Sequence, residues 1–151
     1  MSVEEKIIQA LLDKFPFLNG KLFLRRQRRI SLEIAGENFA EVFAYAVKGL
    51  GFGHLCMITG LDEGDFFAVI YHLSSSEGII LNIKLSIKSG NPAIKTITAD
   101  FPGADAYERE IADLFGIRVE GLAPGHRYPL TDEWPQDEYP LRKGWKAKTP
   151  G

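Results

Sequence analysis

The chain has 151 residues, of which 45% are hydrophobic and 25% charged, and carries a formal net charge of −2. That is the composition of an ordinary globular protein, one domain able to bury about two thirds of its unfolded surface, and it gives no global reason to bind nucleic acid or an anionic membrane. No apolar run approaches the roughly 20 residues that span a bilayer, Glu4 and Glu5 do not suit a signal peptide, and the single Cys56 excludes an internal disulfide or a four-cysteine iron–sulfur cluster from this chain alone. Val3, Ile7, Ile8, Leu11, Leu12 and Phe15 recur at helical spacing up to Pro16. Leu22 to Leu24 and Ile30 to Ile34 read as short strands around Arg25, Arg26, Gln27, Arg28 and Arg29. A second helix begins near Glu37, with Phe39, Val42, Phe43, Ala46, Val47 and Leu50 in one stripe, and Gly49, Gly51 and Gly53 close it. Leu55 to Leu61 and Phe66 to Leu73 form a hairpin across Asp62-Glu63-Gly64-Asp65. Leu81, Ile83, Leu85 and Ile87 alternate with Asn82, Lys84, Ser86 and Lys88, which predicts a half-exposed strand, and a last strand is expected between Ile94 and Thr98.

This order predicts an α+β domain: an antiparallel or mixed sheet, helices on one face, and an extended C-terminal arm rich in proline and aromatic residues. The expected division is residues 1–121 as the domain and 122–151 as the arm. Pro124, Pro129, Pro135, Pro140 and Pro150 leave no room for regular structure. Tyr128, Trp134, Tyr139 and Trp145 between them must pack on this domain or on a neighbour.

The most telling element is a helix expected over 103–117. At about 100° per residue, Ala104, Tyr107, Ile111, Leu114 and Phe115 form its apolar stripe. Asp105, Arg109 and Asp113 fall on the opposite face at spacings of four, suited to pairing in solvent. Glu108 lies about 20° from Phe115 at the edge of the stripe, where an unpaired carboxylate is costly, so it must find a hydrogen bond or a cation.

The run Tyr107-Glu108-Arg109-Glu110-Ile111-Ala112-Asp113-Leu114-Phe115-Gly116-Ile117, followed by Trp134 and Tyr139-Pro140-Leu141-Arg142-Lys143, resembles the signature of the 30-kDa subunit of proton-pumping NADH:quinone oxidoreductase, respiratory complex I. It is equally similar to the matching small subunit of membrane-bound energy-converting [NiFe] hydrogenases. The resemblance spans roughly residues 30 to 145. It departs from the respiratory form between Gly121 and Leu130, which leaves both parent complexes open. It implies an accessory subunit without a redox centre, facing the cytoplasm in prokaryotes at the periphery of the cell membrane. The implied partners are a large quinone-site (49-kDa-type) or [NiFe]-type subunit and a neighbouring iron–sulfur subunit, with membrane contact only through the complex. NADH, FMN, quinone, iron–sulfur or [NiFe] cofactors would belong to that complex, and this chain would bind none and have no active site of its own. Tyr107, Glu108, Arg109, Glu110, Asp113, Phe115, Gly116, Trp134, Tyr139, Pro140, Leu141, Arg142 and Lys143 are the residues assigned to the structural and docking motif.

Other readings compete on the residues themselves. Glu108 with Asp113 could serve a small hydrolase, although Glu108 and Glu110 point roughly 160° apart and cannot share a substrate as a glycosidase pair does. Arg25 to Arg29 could touch nucleic acid, lipid or an acidic protein, but lacks the exposed aromatics of a single-strand binder. Gly49, Gly51 and Gly53 follow a helix instead of joining a strand to one, which is wrong for a dinucleotide loop. His54, His72 and His126 are scattered without a metal-ligand companion. Arg142 is suited to a two-pronged bond with a carboxylate, Glu108, Glu110 or a partner's acid.

Overall fold

A computed structural model describes residues 1–147; Pro150, counted above among the spaced prolines, lies outside them. The described chain is α+β, with three α-helices and a mixed five-stranded sheet. Helix α1 (Val3–Lys14) opens on Ser2, whose hydroxyl accepts from the Glu5 amide while the Glu5 carboxylate accepts from the Ser2 amide, a reciprocal cap. A single 3-10 turn over Pro16–Leu18 leads to β1 (Leu22–Arg26) and β2 (Arg29–Ala35), followed by α2 (Gly36–Ala44). The second helix stops earlier than its stripe predicts, because Tyr45–Gly49 widen into a π turn. Then come β3 (His54–Asp62), β4 (Phe66–Ser74), β5 (Ile80–Lys88), β6 (Ala93–Lys95), α3 (Ala104–Phe115) and β7 (Arg118–Glu120).

The strand order is β1-β2-β5-β4-β3. β1 and β2 are antiparallel, whereas β2 and β5 run parallel with Ile30, Leu32 and Ile34 opposite Leu81, Ile83 and Leu85. All six are buried, so the alternation in β5 reports a true inner face. β7 had no legible signal: three residues are too few for a period of two. It pairs in parallel with β6, Ile94 opposite Val119, in a separate two-stranded sheet. The strand expected between Ile94 and Thr98 is therefore shorter and begins one residue earlier.

Backbone proximity resolves two compact units. The first comprises Met1–Ile58 and Val69–Ser86. Its core includes Leu11, Leu18, Leu32, Val42 and Ile83, all inaccessible to solvent, and Phe39 and Phe43 both lie against the Tyr71 ring, with centroids 4.8 and 5.7 Å away. The second comprises Thr59–Ala68 with the chain from Ile87 onward, and it contains α3, β6 and β7.

In this second unit α3 lies directly on Gly60 of β3. A Cβ there would fall 2.5 Å from the Phe115 ring and 2.7 Å from Ile111 Cδ1. The Phe67 and Phe115 rings meet edge to face at 6.1 Å. The missing side chain thus sets how closely the helix seats, and Gly60→Ala is expected to cost about 1–3 kcal/mol by overpacking, read as a lower urea midpoint with an unchanged slope.

Candidate functional site

Every residue assigned to the docking motif belongs to the second unit, and α3 is its post. The helix ends at Gly116, whose φ of 72° is the left-handed cap that glycine adopts without strain. A side chain at that position would also collide with the Tyr139 ring and the Arg142 guanidinium, at 2.5 and 2.7 Å. The glycine both terminates the helix and admits the C-terminal segment to its end.

Glu108 is 1% exposed. Its Oε1 accepts from the Thr96 hydroxyl at 2.6 Å and from the Ile97 amide at 3.2 Å, while Oε2 is buried without a hydrogen-bond partner. The hydrogen bond required by the sequence is present, but no cation supplies it. Burial pushes the carboxyl above its usual range, opposing the two hydrogen bonds that favour the charged form. Glu108 therefore joins α3 to the segment after β6.

The face expected to be solvated is covered at Arg109 and Asp113, while Asp105 stays partly exposed. Arg109 donates to both oxygens of Asp105, at 2.7 and 3.1 Å, and to the Ala123 carbonyl at 2.6 Å; its side chain is only 17% exposed. Asp113 does not pair with Arg109. It is 8% exposed, taking the Arg127 guanidinium on Oδ1 at 3.0 Å and the Leu130 amide on Oδ2 at 2.8 Å. The helical wheel gave the right face and the wrong environment, because a segment with no periodicity of its own packs there.

That segment, 122–147, contains no helix or strand, as its prolines predict. Of the two surfaces open to its aromatic residues, this domain or a neighbour, the described part packs on the domain, folded back along α3. The Leu141 amide donates to the Leu114 carbonyl at 3.1 Å, and Arg142 Nε to the Phe115 carbonyl at 2.6 Å. Arg142 meets no carboxylate of Glu108 or Glu110; its guanidinium lies between the Phe67 and Tyr139 rings, 5.2 and 4.6 Å from their centres. The Lys143 amide donates to Asp62 at 2.7 Å, and together with the Gly64 amide holds that carboxyl below its usual range. Trp134 and Trp145 pack on each other at 5.7 Å, and Trp134 Nε1 donates to the Glu138 carbonyl. Pro140 lies between these contacts, and Glu110, Tyr128 and Leu141 remain exposed. The anchoring roles of Arg127, Ala123 and Leu130 had no sequence signal beyond the need of the aromatic residues for a surface.

A cleft of about 330 Å³ opens between α3 and this segment, lined by Arg109, Asp113, His126, Arg127, Tyr128 and Tyr139 among others. Both arginines and both Asp113 oxygens are already engaged, so Asp113 is held by the Arg127 guanidinium and the Leu130 amide and does not stand open in the cleft. Glu108 turns toward Thr96 and Ile97 and does not line it, which separates the two carboxylates of the hydrolase reading. Among the described residues no group of three or more His, Cys, Asp or Glu side chains could hold a metal ion, and no helix is long and apolar enough to cross a membrane.

Residues 32–150 match the family model described as respiratory-chain NADH dehydrogenase, 30 Kd subunit. The chain is 29% identical to a subunit of the F(420)H(2) dehydrogenase of Methanosarcina mazei, over 93% of this chain and 90% of the relative. It is 33% identical to the formate hydrogenlyase subunit 5 of Escherichia coli, where the match covers 93% of this chain and 26% of that much longer protein. A chain in the membrane-bound sulfane sulfur reductase, an archaeal respiratory membrane complex, superposes with a TM-score of 0.83 at 25% identity over 96% of this chain and 86% of that chain.

Two carboxylates are expected to behave differently. Asp113→Ala strands a mostly buried guanidinium and an amide, and should cost about 3 kcal/mol in urea unfolding. For Glu108 the folded state holds the proton more tightly than the unfolded chain does. Its contribution is complete below the ordinary value of 4.5 and is lost as pH rises through the elevated one. Stability measured from about pH 4 to about pH 8 should show that loss in the parent and not in Glu108→Gln, while Glu108→Ala loses about 1–3 kcal/mol throughout by freeing the Ile97 amide.

Proposed function

The chain belongs to the family of the respiratory-chain NADH dehydrogenase 30-kDa subunit, and from that membership we propose that it is a non-redox accessory subunit that packs against the large subunit of a membrane-associated electron-transfer complex. The family is one of subunits of complex I-type and related respiratory and hydrogenase complexes. The observation that carries the finer reading is the match to formate hydrogenlyase subunit 5: nearly all of this chain corresponds to about a quarter of a single longer polypeptide. A domain joined covalently to a larger one in a relative has its natural neighbour in the counterpart of that larger part. For this chain the neighbour is the large quinone-site or [NiFe]-type subunit, with an iron–sulfur subunit beside it, on the cytoplasmic side of the membrane.

The internal chemistry supports a structural role. Arg109, Asp113 and Arg127 of the cleft are engaged in holding the C-terminal segment, and one cysteine cannot ligate a four-thiolate cluster. Among the residues left to a partner are the exposed Glu110 on α3 and Tyr128, Leu141 and Lys143 on the segment lying against it. Arg109, Asp113, Tyr139 and Arg142 act one step back, fixing the shape of that surface. A preorganised surface loses less conformational entropy on docking than a free arm. The electron donor is then a property of the other subunits, which accords with relatives named for F(420)H(2) and for formate.

Purification through a tag on this chain is expected to bring the large subunit with it in equal amount, while the chain alone is colourless and free of stoichiometric iron, nickel or flavin. Glu110→Arg should leave the melting temperature within about 0.5 kcal/mol of the parent in stability terms and reduce recovery of the large subunit about tenfold. A chain that elutes alone from its native host, or that turns over a substrate by itself, overturns the reading.

A further inference from the structure

The tip of the β1–β2 hairpin is a strongly charged patch that the α3 surface leaves unexplained. Arg25, Arg26, Arg28 and Arg29 fall within five residues of a chain whose overall charge is −2. Arg25, Arg26 and Arg28 are exposed, and none of the four forms an ion pair among the described residues. Like charges at this density repel, so the fold holds the cluster together against its own electrostatics.

The turn is held rigidly. Arg28 sits at a φ of 62°, a strained backbone for a residue with a Cβ. Its amide donates to the buried carboxylate of Glu4 at 2.7 Å, and its carbonyl accepts from the Ile80 amide at 3.0 Å and from Arg29 Nη1 at 3.0 Å. Arg25 lies over the Phe23 ring at 4.5 Å and donates from Nε to Ser31 at 2.8 Å. Arg28 shares a cavity of about 200 Å³ with Glu4 and Glu77.

We propose that this hairpin is a second docking point, a preformed set of guanidinium groups that engages an acidic protein surface on a neighbouring subunit. The inference rests on the assembly role proposed above. The Arg25 and Arg29 guanidinium groups are tethered and the Arg28 backbone is pinned, so part of the cluster's freedom is already restricted before docking, and a guanidinium fork can bind a carboxylate in two prongs. A fluid membrane rewards basic residues flanked by several fully inserting apolar side chains, whereas Leu24, 47% exposed, and Val3, 43% exposed beside Arg28, are each less than half open to solvent. Single-stranded nucleic acid needs exposed stacking rings, and Phe23 lies half-buried beneath Arg25.

The test uses the complex purified through this chain from its host. Replacing Arg25, Arg26 and Arg28 with Gln should leave folding intact and the large subunit bound, yet lower retention of one neighbouring subunit about tenfold, with the parent losing that subunit as salt rises. Glu4→Gln keeps every arginine and should weaken retention less. A photo-crosslinker in place of Gln27 should capture a segment rich in Asp and Glu, a readout independent of whether the triple variant folds well. Unchanged composition and no such crosslink overturn the proposal, as does stronger binding of the isolated chain to phosphatidylglycerol vesicles or a single-stranded oligonucleotide than to a polyglutamate peptide. Loss of the large subunit from the parent itself would instead strike at the α3 reading.

Discussion

The buried carboxylate of Asp113 turns a proline-punctuated sequence into part of the fold. Segment 122–147 has no ladder of backbone hydrogen bonds, so nothing intrinsic offsets the entropy lost in ordering it. Asp113 supplies two fixed points, the Arg127 guanidinium and the Leu130 amide. Arg109 adds the Ala123 carbonyl upstream, and the open carbonyls of the last turn of α3 take Leu141 and Arg142 downstream. Prolines help by narrowing the unfolded ensemble that must be ordered.

One helix therefore serves two boundaries. Through Ile111 and Phe115 it seats on Gly60, and through Glu108 it takes the Thr96 hydroxyl and Ile97 amide. Through Asp105, Arg109 and Asp113 it carries the C-terminal segment. Engaging its charges internally leaves α3 few groups for a partner, and in the proposed role the docking surface is a composite of Glu110 with side chains of the segment packed beside it. In that proposed role the folding-back of the segment has a functional sense, since a subunit without chemistry of its own would contribute by presenting a shape.

The sequence was legible wherever a period repeated. The alternation from Leu81 to Lys88 lies within β5, with Leu81, Ile83 and Leu85 buried and Ile87 only half-buried, and the stripe of α3 placed Glu108 at a buried edge in need of a hydrogen bond. Asp113 was misread for a specific reason. A wheel separates the core side from the far side, but the far side is solvent only if nothing aperiodic covers it. β7 was hidden by its length of three residues, and the true acceptor of Arg142, a helix-terminal carbonyl, is chemistry that every helix offers and no side-chain pattern reveals. The family resemblance carried by the α3 run and the Tyr139 to Lys143 motif was confirmed by a match over residues 32–150.

Hydrogen exchange on the isolated chain tests most directly whether the C-terminal segment is fold or free arm. The Leu130 and Leu141 amides, bonded to Asp113 and to the Leu114 carbonyl, are expected to be protected before any partner is added, and to lose that protection together in Asp113→Ala. Exchange of both amides at the rate of an unfolded chain, with protection appearing only in the assembled complex, would contradict a preformed surface and restore the picture of an arm ordered by its partner.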